Sequence, residues 1–477
     1  MIVRNGRIIL PPRVASMTRS SVLRLLSTGL FCGALTVSSG ELRAAERPNF
    51  LVFIADDMAW DDCGAYGHPH IRTPHLDRLA SEGLRFDAAF LTCSSCSPSR
   101  SSIMTGRYPH STGGAHQLHN PLPGSQVVFP ELLRAAGYYT ASAGKWHLGP
   151  ETVPEFDLVE QQFDRWVTTL KQRPMDRPFF FWFGFSDPHR PYQPGAITRP
   201  HTPEEVVVPP YLPDDDVTRR DLALYYDEIG RLDGHVGEVL AELDRQGAAG
   251  QTVVLFLTDN GRPFPRCKTT VYTSGVKMPL LVRWPGRVAP GSRTSSVVSS
   301  IDLAPTILEL AGVPAGETFQ GVSFARVLTD PAADVREYAY SEHNWHDFDD
   351  YQRAVRSQRF NYIRTWYTDV PGTPPADAVS GSTFQRMHKL RAAGTLSPAQ
   401  LNPYVVPRPE EELYDVEADP HELHNLAGDP QFADVLTTMR KALEDWQRET
   451  DDRLPESRRP DEFDRVTGKR LPGFGRR

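Results

Sequence analysis

Four apolar runs in the first 260 residues each break off at charged or metal-capable side chains. The run 49–54 stops at Asp56-Asp57, and the run 138–142 at Gly144-Lys145-Trp146-His147. The largely aromatic run 179–185 stops at Ser186-Asp187-Pro188-His189, and the run 252–257 at Thr258-Asp259-Asn260. Uninterrupted apolar runs of this length suit parallel strands covered on both faces. Between the last two, Leu222, Tyr225, Ile229, Leu232, Val236, Val239 and Leu243 recur at spacings of three or four, which predicts one helix ending near Gly247. Strands alternating with helices give an α/β doubly wound sheet, whose ligands bind beyond the carboxyl ends of the strands. All four polar clusters fall there. A turn would explain one of them, because Asp, Asn and Gly are common loop residues; it does not explain four with complementary chemistry.

The chain has 477 residues, a net charge of −8, 39% hydrophobic and 23% charged residues, which leaves room for a large α/β domain and a smaller companion. No long basic run is present, so nothing points to nucleic acid. Arg13, Arg19 and Arg24 precede an apolar stretch over 25–37 that leads to Ala44-Ala45. This reads as an export signal over 1–45, with Met17 as an alternative start, and predicts a periplasmic or secreted protein. The stretch is too short for a membrane span, so the mature form is expected to have none. Cys32 would leave with the signal. Cys63, Cys93, Cys96 and Cys267 are too few and too scattered for a disulfide framework, and each is expected as an unpaired buried thiol.

Asp56, Asp57, Asp259 and Asn260 offer only oxygen donors, the choice of hard cations, so Ca2+ is the first expectation and Mg2+ the second. The adjacent Asp61-Asp62 is read as solvated loop. Arg100, Lys145 and Lys268 would supply positive charge, and His147 and His189 are the proton-transfer candidates, because an unperturbed histidine has its pKa near working pH. Cys96-Ser97-Pro98-Ser99-Arg100 forms a C-x-P-x-R motif, expected by chance in a chain of this length on the order of once in a hundred. Arg100 follows Cys96 by one helical turn, and a helix starting near Pro98 would aim free N–H groups at an anion. The bland alternative is a structural cysteine before a helix with proline in its first turn.

Together, the Cys96 motif, Asp56-Asp57, the stretch from Gly144 to Gly149 and Thr258-Asp259-Asn260-Gly261 resemble the formylglycine sulfatases of the alkaline-phosphatase-like superfamily. The resemblance runs from about residue 49 to about 451. It implies a large mixed sheet flanked by helices and a smaller C-terminal α+β domain. The boundaries expected are 46–334 for the catalytic domain and 335–477 for the C-terminal part, an antiparallel sheet packed by a helix over 430–450. Glu342, His343 and His346 are read there as sugar contacts or as a polar loop, and residues after Asp451 as a surface tail.

Within the family, Gly149-Pro150-Glu151-Thr152-Val153, Asp187-Pro188-His189-Arg190 and Pro263-Phe264-Pro265 are similar to the heparan N-sulfatase (sulfamidase) branch. The resemblance implies a sulfated saccharide substrate and conversion of Cys96 to formylglycine by a formylglycine-generating enzyme; a homodimer is left open. The metal ligands it implies are Asp56, Asp57, modified Cys96, Asp259 and Asn260. Arg100 would hold the formylglycine hydrate and Lys145 would bridge it to sulfate. His147 would assist sulfate release, and His189 would protonate the leaving group or bind sulfate. Lys268 stands where sulfamidases carry arginine, a point charge in place of a two-pronged donor. An O-sulfatase is the alternative; a superfamily phosphoesterase and an inactive saccharide-binding protein are the remaining readings.

Overall fold

The computed structural model describes residues 47–474; the export signal expected over 1–45 lies outside the described residues. Eight strands form the main sheet: β1 (Asn49–Ala55), β2 (Leu84–Phe86), β3 (Tyr139–Gly144), β4 (Leu158–Glu160), β5 (Phe179–Gly184), β6 (Thr252–Thr258), β7 (Leu280–Arg283) and β8 (Ser292–Thr294). Their order is β4-β3-β5-β1-β6-β7-β2-β8. The four apolar runs are the adjacent central strands β3, β5, β1 and β6, all parallel. β7 pairs antiparallel with both of its neighbours, which makes the sheet mixed.

Alternate side chains of the central strands enter separate cores. Phe50, Val52 and Ile54 of β1 join Phe180 and Trp182 of β5 on one face. Leu51 and Phe53 join Phe179, Phe181 and Phe183 on the other. Side chains two apart share a face, so a strand buried on both sides must be apolar throughout. The second face is closed by the helix Asp216–Arg245, whose predicted apolar stripe is buried from Leu222 to Leu243. Asp215 caps its start by accepting from the backbone N–H groups of Val217 and Thr218 at 3.1 Å.

The C-terminal part is a four-stranded antiparallel sheet of Ala339–His343, Gln352–Arg356, Phe360–Thr365 and Glu411–Asp415, paired in sequence order. Helix Ala433–Thr450 packs Met439, Leu443 and Trp446 against Val355, Tyr362 and Leu413. The expected sheet and helix are both present. Among the described residues no helix is long and apolar enough to cross a membrane. Cys63, Cys93, Cys96 and Cys267 are all buried and free of disulfides.

Two sequence expectations need correction. Asp61-Asp62 is no solvated loop: Asp62 is buried, and both carboxylates pair with the buried guanidinium of Arg262. Glu342 and His343 are no loop either, since they end a strand. Glu342 binds His110 Nδ1 at 2.6 Å and lies 3.7 Å from Arg353, a buried ionic network that Asp452 completes. The segment after Asp451 is largely exposed but is anchored by buried Asp452 and Glu462.

Candidate active site

The carboxyl ends of the central strands converge at one point. β1 runs into Asp56 and Asp57, β6 into Asp259 and Asn260, and all four side chains are buried. Asp57 adopts φ 75°, a left-handed conformation that turns the chain immediately after the strand. Its N–H donates to Asp259 Oδ1 at 3.3 Å, and Asn260 Nδ2 donates to its Oδ1. Cys96 is the first residue of the wholly buried helix Cys96–Thr105, and its Sγ lies 3.9 Å from Asp57 Oδ1. Ligand atoms of Asp56, Cys96 and Asp259 lie within 4.8 Å of one another.

Two oxygens here, Asp56 Oδ1 and Asn260 Oδ1, are buried without a hydrogen-bond partner. Buried polar atoms without partners are rare and call for an explanation. Burial and the neighbouring Asp56 charge push Asp259 up to about 7. Carboxylates crowded in this way repel unless a cation lies between them, and an all-oxygen donor set suits a hard divalent ion. The residues present therefore fit such an ion.

Three cations surround the cluster. Arg100 Nε donates to Asp259 Oδ2 at 2.8 Å and its Nη1 to the Lys145 carbonyl at 3.1 Å. Lys145, just past β3, pairs with Asp56. Its backbone N–H donates to Gly184 O at 3.0 Å. A Cβ on Gly184 would fall 2.3 Å from the Lys145 carbonyl, so only glycine at the end of β5 allows this approach. Lys268 Nζ lies 2.8 Å from Asp57 Oδ2 and 3.3 Å from Asp377 Oδ2. Burial alone would lower its pKa, but Asp377 and Asp57 hold it well above the usual lysine range.

His147 and His189 both reach the cavity, of about 380 Å³, that opens over Cys96. His189 Nε2 lies 3.6 Å from Asp377 Oδ2, while its Nδ1 meets the Arg190 carbonyl. Burial, then the charges of Lys145, His119 and Arg100, drive His147 well below the usual histidine range, which favours its neutral form. Every residue singled out in the sequence for metal or catalysis thus lies in or around one cluster.

The same cavity is lined by residues that sequence reasoning missed: His119, Asp347, Asp377 and, from the C-terminal segment, Phe463 and Gly468. His346, read as a sugar contact or loop residue, is on the wall too, with Nδ1 2.7 Å from Ser95 Oγ. A signal existed for His119, which stands in the histidine-rich stretch His116-Gln117-Leu118-His119 soon after the Cys96 motif. Nothing local marks Asp377.

Comparison with known proteins adds a family. A family model described as Sulfatase matches residues 48–156 and 150–313, and one described as N-sulphoglucosamine sulphohydrolase, C-terminal, matches 267–372. The chain is similar to N-sulphoglucosamine sulphohydrolase of Homo sapiens, 35% identical over 473 residues that cover 88% of this chain and 94% of that protein. It is also similar to an ulvan-active sulfatase of Formosa agariphila, 32% identical over 507 residues, covering 91% and 83% respectively. A structure solved in complex with its substrate D-glucosamine-2-N,6-O-disulfate has the same fold, with TM-score 0.64 at 22% identity over 86% of this chain and 99% of that one.

Proposed function

This chain belongs to the sulfatase family, and on that premise we propose that it removes the N-linked sulfate from a glucosamine unit of a heparan-type saccharide. The observation that carries the reading is the position of Cys96. It starts a buried helix 3.9 Å from Asp57, between oxygen donors and paired lysines. For the N-sulfate, support comes from the segment matched by the N-sulphoglucosamine sulphohydrolase C-terminal model, which contributes Lys268, His346 and Asp347 to the cavity wall.

Oxidation of Cys96 to formylglycine would supply an oxygen nucleophile, and a divalent cation held by Asp56, Asp57, Asp259 and Asn260 would supply Lewis-acid charge. The chain's own groups do the rest. The N-terminus of the Cys96 helix presents free N–H groups and positive potential to the sulfate. Lys145 and Lys268 place ammonium charge where sulfate oxygens gain negative charge, usually a large share of such catalysis. His147, neutral through burial, accepts a proton; His189 Nε2, beside Asp377, faces the cavity to protonate the leaving nitrogen. Maturation by a formylglycine-generating enzyme and export to the periplasm or exterior complete the proposal.

The test is sulfate release from glucosamine N-sulfate beside its 6-O- and 3-O-sulfated isomers, with N-sulfate turnover expected to dominate. Turnover of the O-sulfates alone would leave the family standing and overturn the N-sulfate assignment. One observation favours that second reading: Lys268, where the sulfamidase pattern has arginine, offers a single charge rather than a fork.

Ca2+ is the expected ion, ahead of Mg2+. Chelation should lower the melting temperature, since an ion at a hundred times its Kd contributes about 2.7 kcal/mol. Calorimetry with each ion added back checks this, and a melting curve indifferent to chelator and to both ions would refute it.

A further inference from the structure

His147 is half-buried on the cavity wall, and a proton that it accepts at its buried Nδ1 needs a way out. Its Nε2 lies 2.8 Å from Nδ1 of His119, with ring centroids 4.9 Å apart. At that distance one ring donates and the other accepts. The other nitrogen of His147, Nδ1, is buried and has no hydrogen-bond partner. His119, by contrast, is exposed and lines the cavity.

The main chain of His119 is held by the nucleophile's own motif, since its N–H donates to Ser97 Oγ at 2.9 Å. It adopts φ 64° and His147 adopts φ 57°, both left-handed. For residues other than glycine this conformation costs about 1–2 kcal/mol, and such strain gathers at functional sites. The fold thus keeps two unfavourable backbone conformations that bring these rings together beside Cys96.

We propose that His119 is the proton relay of this active site, carrying protons between His147, whose Nδ1 is buried, and the water of the cavity. The relay rests on the role proposed above for His147. Neutral His147, protonated at Nε2, accepts a proton at Nδ1 and passes the Nε2 proton to Nδ1 of His119. His119, now cationic, releases its Nε2 proton to water. One proton enters the pair and one leaves, and no electrons move. The starting tautomers return when a proton runs the other way, from water to His119 Nε2 and from His119 Nδ1 to His147 Nε2, while His147 Nδ1 gives its proton back to the reacting groups.

The test compares His119→Ala and His119→Gln in the formylglycine-bearing enzyme. In both, kcat should fall on the order of 100-fold, the low end for a lost acid–base partner, with KM changed by less than about twofold. Added imidazole should restore His119→Ala in proportion to its concentration and leave His119→Gln unimproved, because glutamine fills the space. A kcat for His119→Ala within about twofold of wild type would overturn the relay, as would a loss that imidazole does not relieve. A second readout does not need turnover: in the Cys96→Ala background, the 15N resonance of His147 Nε2 should move when His119 becomes alanine. An unmoved resonance overturns the pairing. Wild-type enzyme inactive on all three sulfated glucosamines would fail the functional reading instead, while the resonance still decides the pair.

Discussion

Replacing Cys96 with alanine should lower kcat on the order of 10⁴–10⁶-fold, the range seen when a catalytic nucleophile is removed. Stability should change by only about 1 kcal/mol, the cost of losing one small buried group. The two effects separate because the Sγ makes few contacts that hold the fold. Its hydrogen bond to Asp57 Oδ1 is long, at 3.9 Å, and the helix it begins is fixed by the burial of all ten of its residues. The unmodified thiol cannot substitute for the oxidised residue. Burial pushes its pKa well above the usual cysteine range, so at neutral pH it is an uncharged thiol and a poor nucleophile. Protein made without a formylglycine-generating enzyme should therefore be folded and inactive, like Cys96→Ala. Steady-state sulfate release, with mass spectrometry of the tryptic peptide carrying residue 96, measures both. Substantial turnover by the alanine variant would remove the nucleophile from the mechanism.

What the sequence disclosed and what it hid follow from where the determining contacts lie. The four central strands were legible because burial on both faces demands apolar residues at every position, a property of each run alone. The antiparallel direction of Leu280–Arg283 was not, since four consecutive buried residues read the same in either direction. Asp56, Asp57, Asp259 and Asn260 were legible because each pair directly ends a strand whose neighbours were also recognisable. Asp62 was misread because its compensating cation, Arg262, comes 200 residues later, and an acidic pair without visible partners looks solvated. Asp377 is the extreme case. It lies in the four-residue helix Ala376–Val379, without periodicity or motif, and gains meaning only where the fold sets it beside Lys268 and His189.

Lys268 should have the second largest effect, and its cost should appear in stability as well as rate. Lys268→Met leaves two carboxylates, Asp57 and Asp377, without the ammonium that lies 2.8 and 3.3 Å from them. Removing one partner of a buried ion pair costs about 3–5 kcal/mol, because the other charge stays behind. The rate should fall on the order of 10²–10³-fold, the loss typical for one group stabilising transition-state charge.

The pH dependence of the stability difference has a definite sign. The folded-state pKa of Lys268 is raised, so its contribution is complete below the unfolded lysine value of about 10.4 and disappears only as pH rises through the folded one. Asp377 is lowered, first by Lys268 acting against its burial, so its share is present above about pH 3.9 and is lost as pH falls below it. Denaturant melts of wild type and Lys268→Met should therefore differ by a constant amount between about pH 5 and 9, and converge in acid. A gap that closes near neutrality would show that the pair does not hold this site together. Lys268→Arg separates charge from shape: it keeps the pairing with Asp57 and Asp377, so it should retain most of the stability. If the pocket holds an N-sulfate, the added fork should preserve N-sulfate turnover or raise it relative to the O-sulfates. A shift toward the O-sulfates would mean that the single ammonium, not the fork, selects the substrate here.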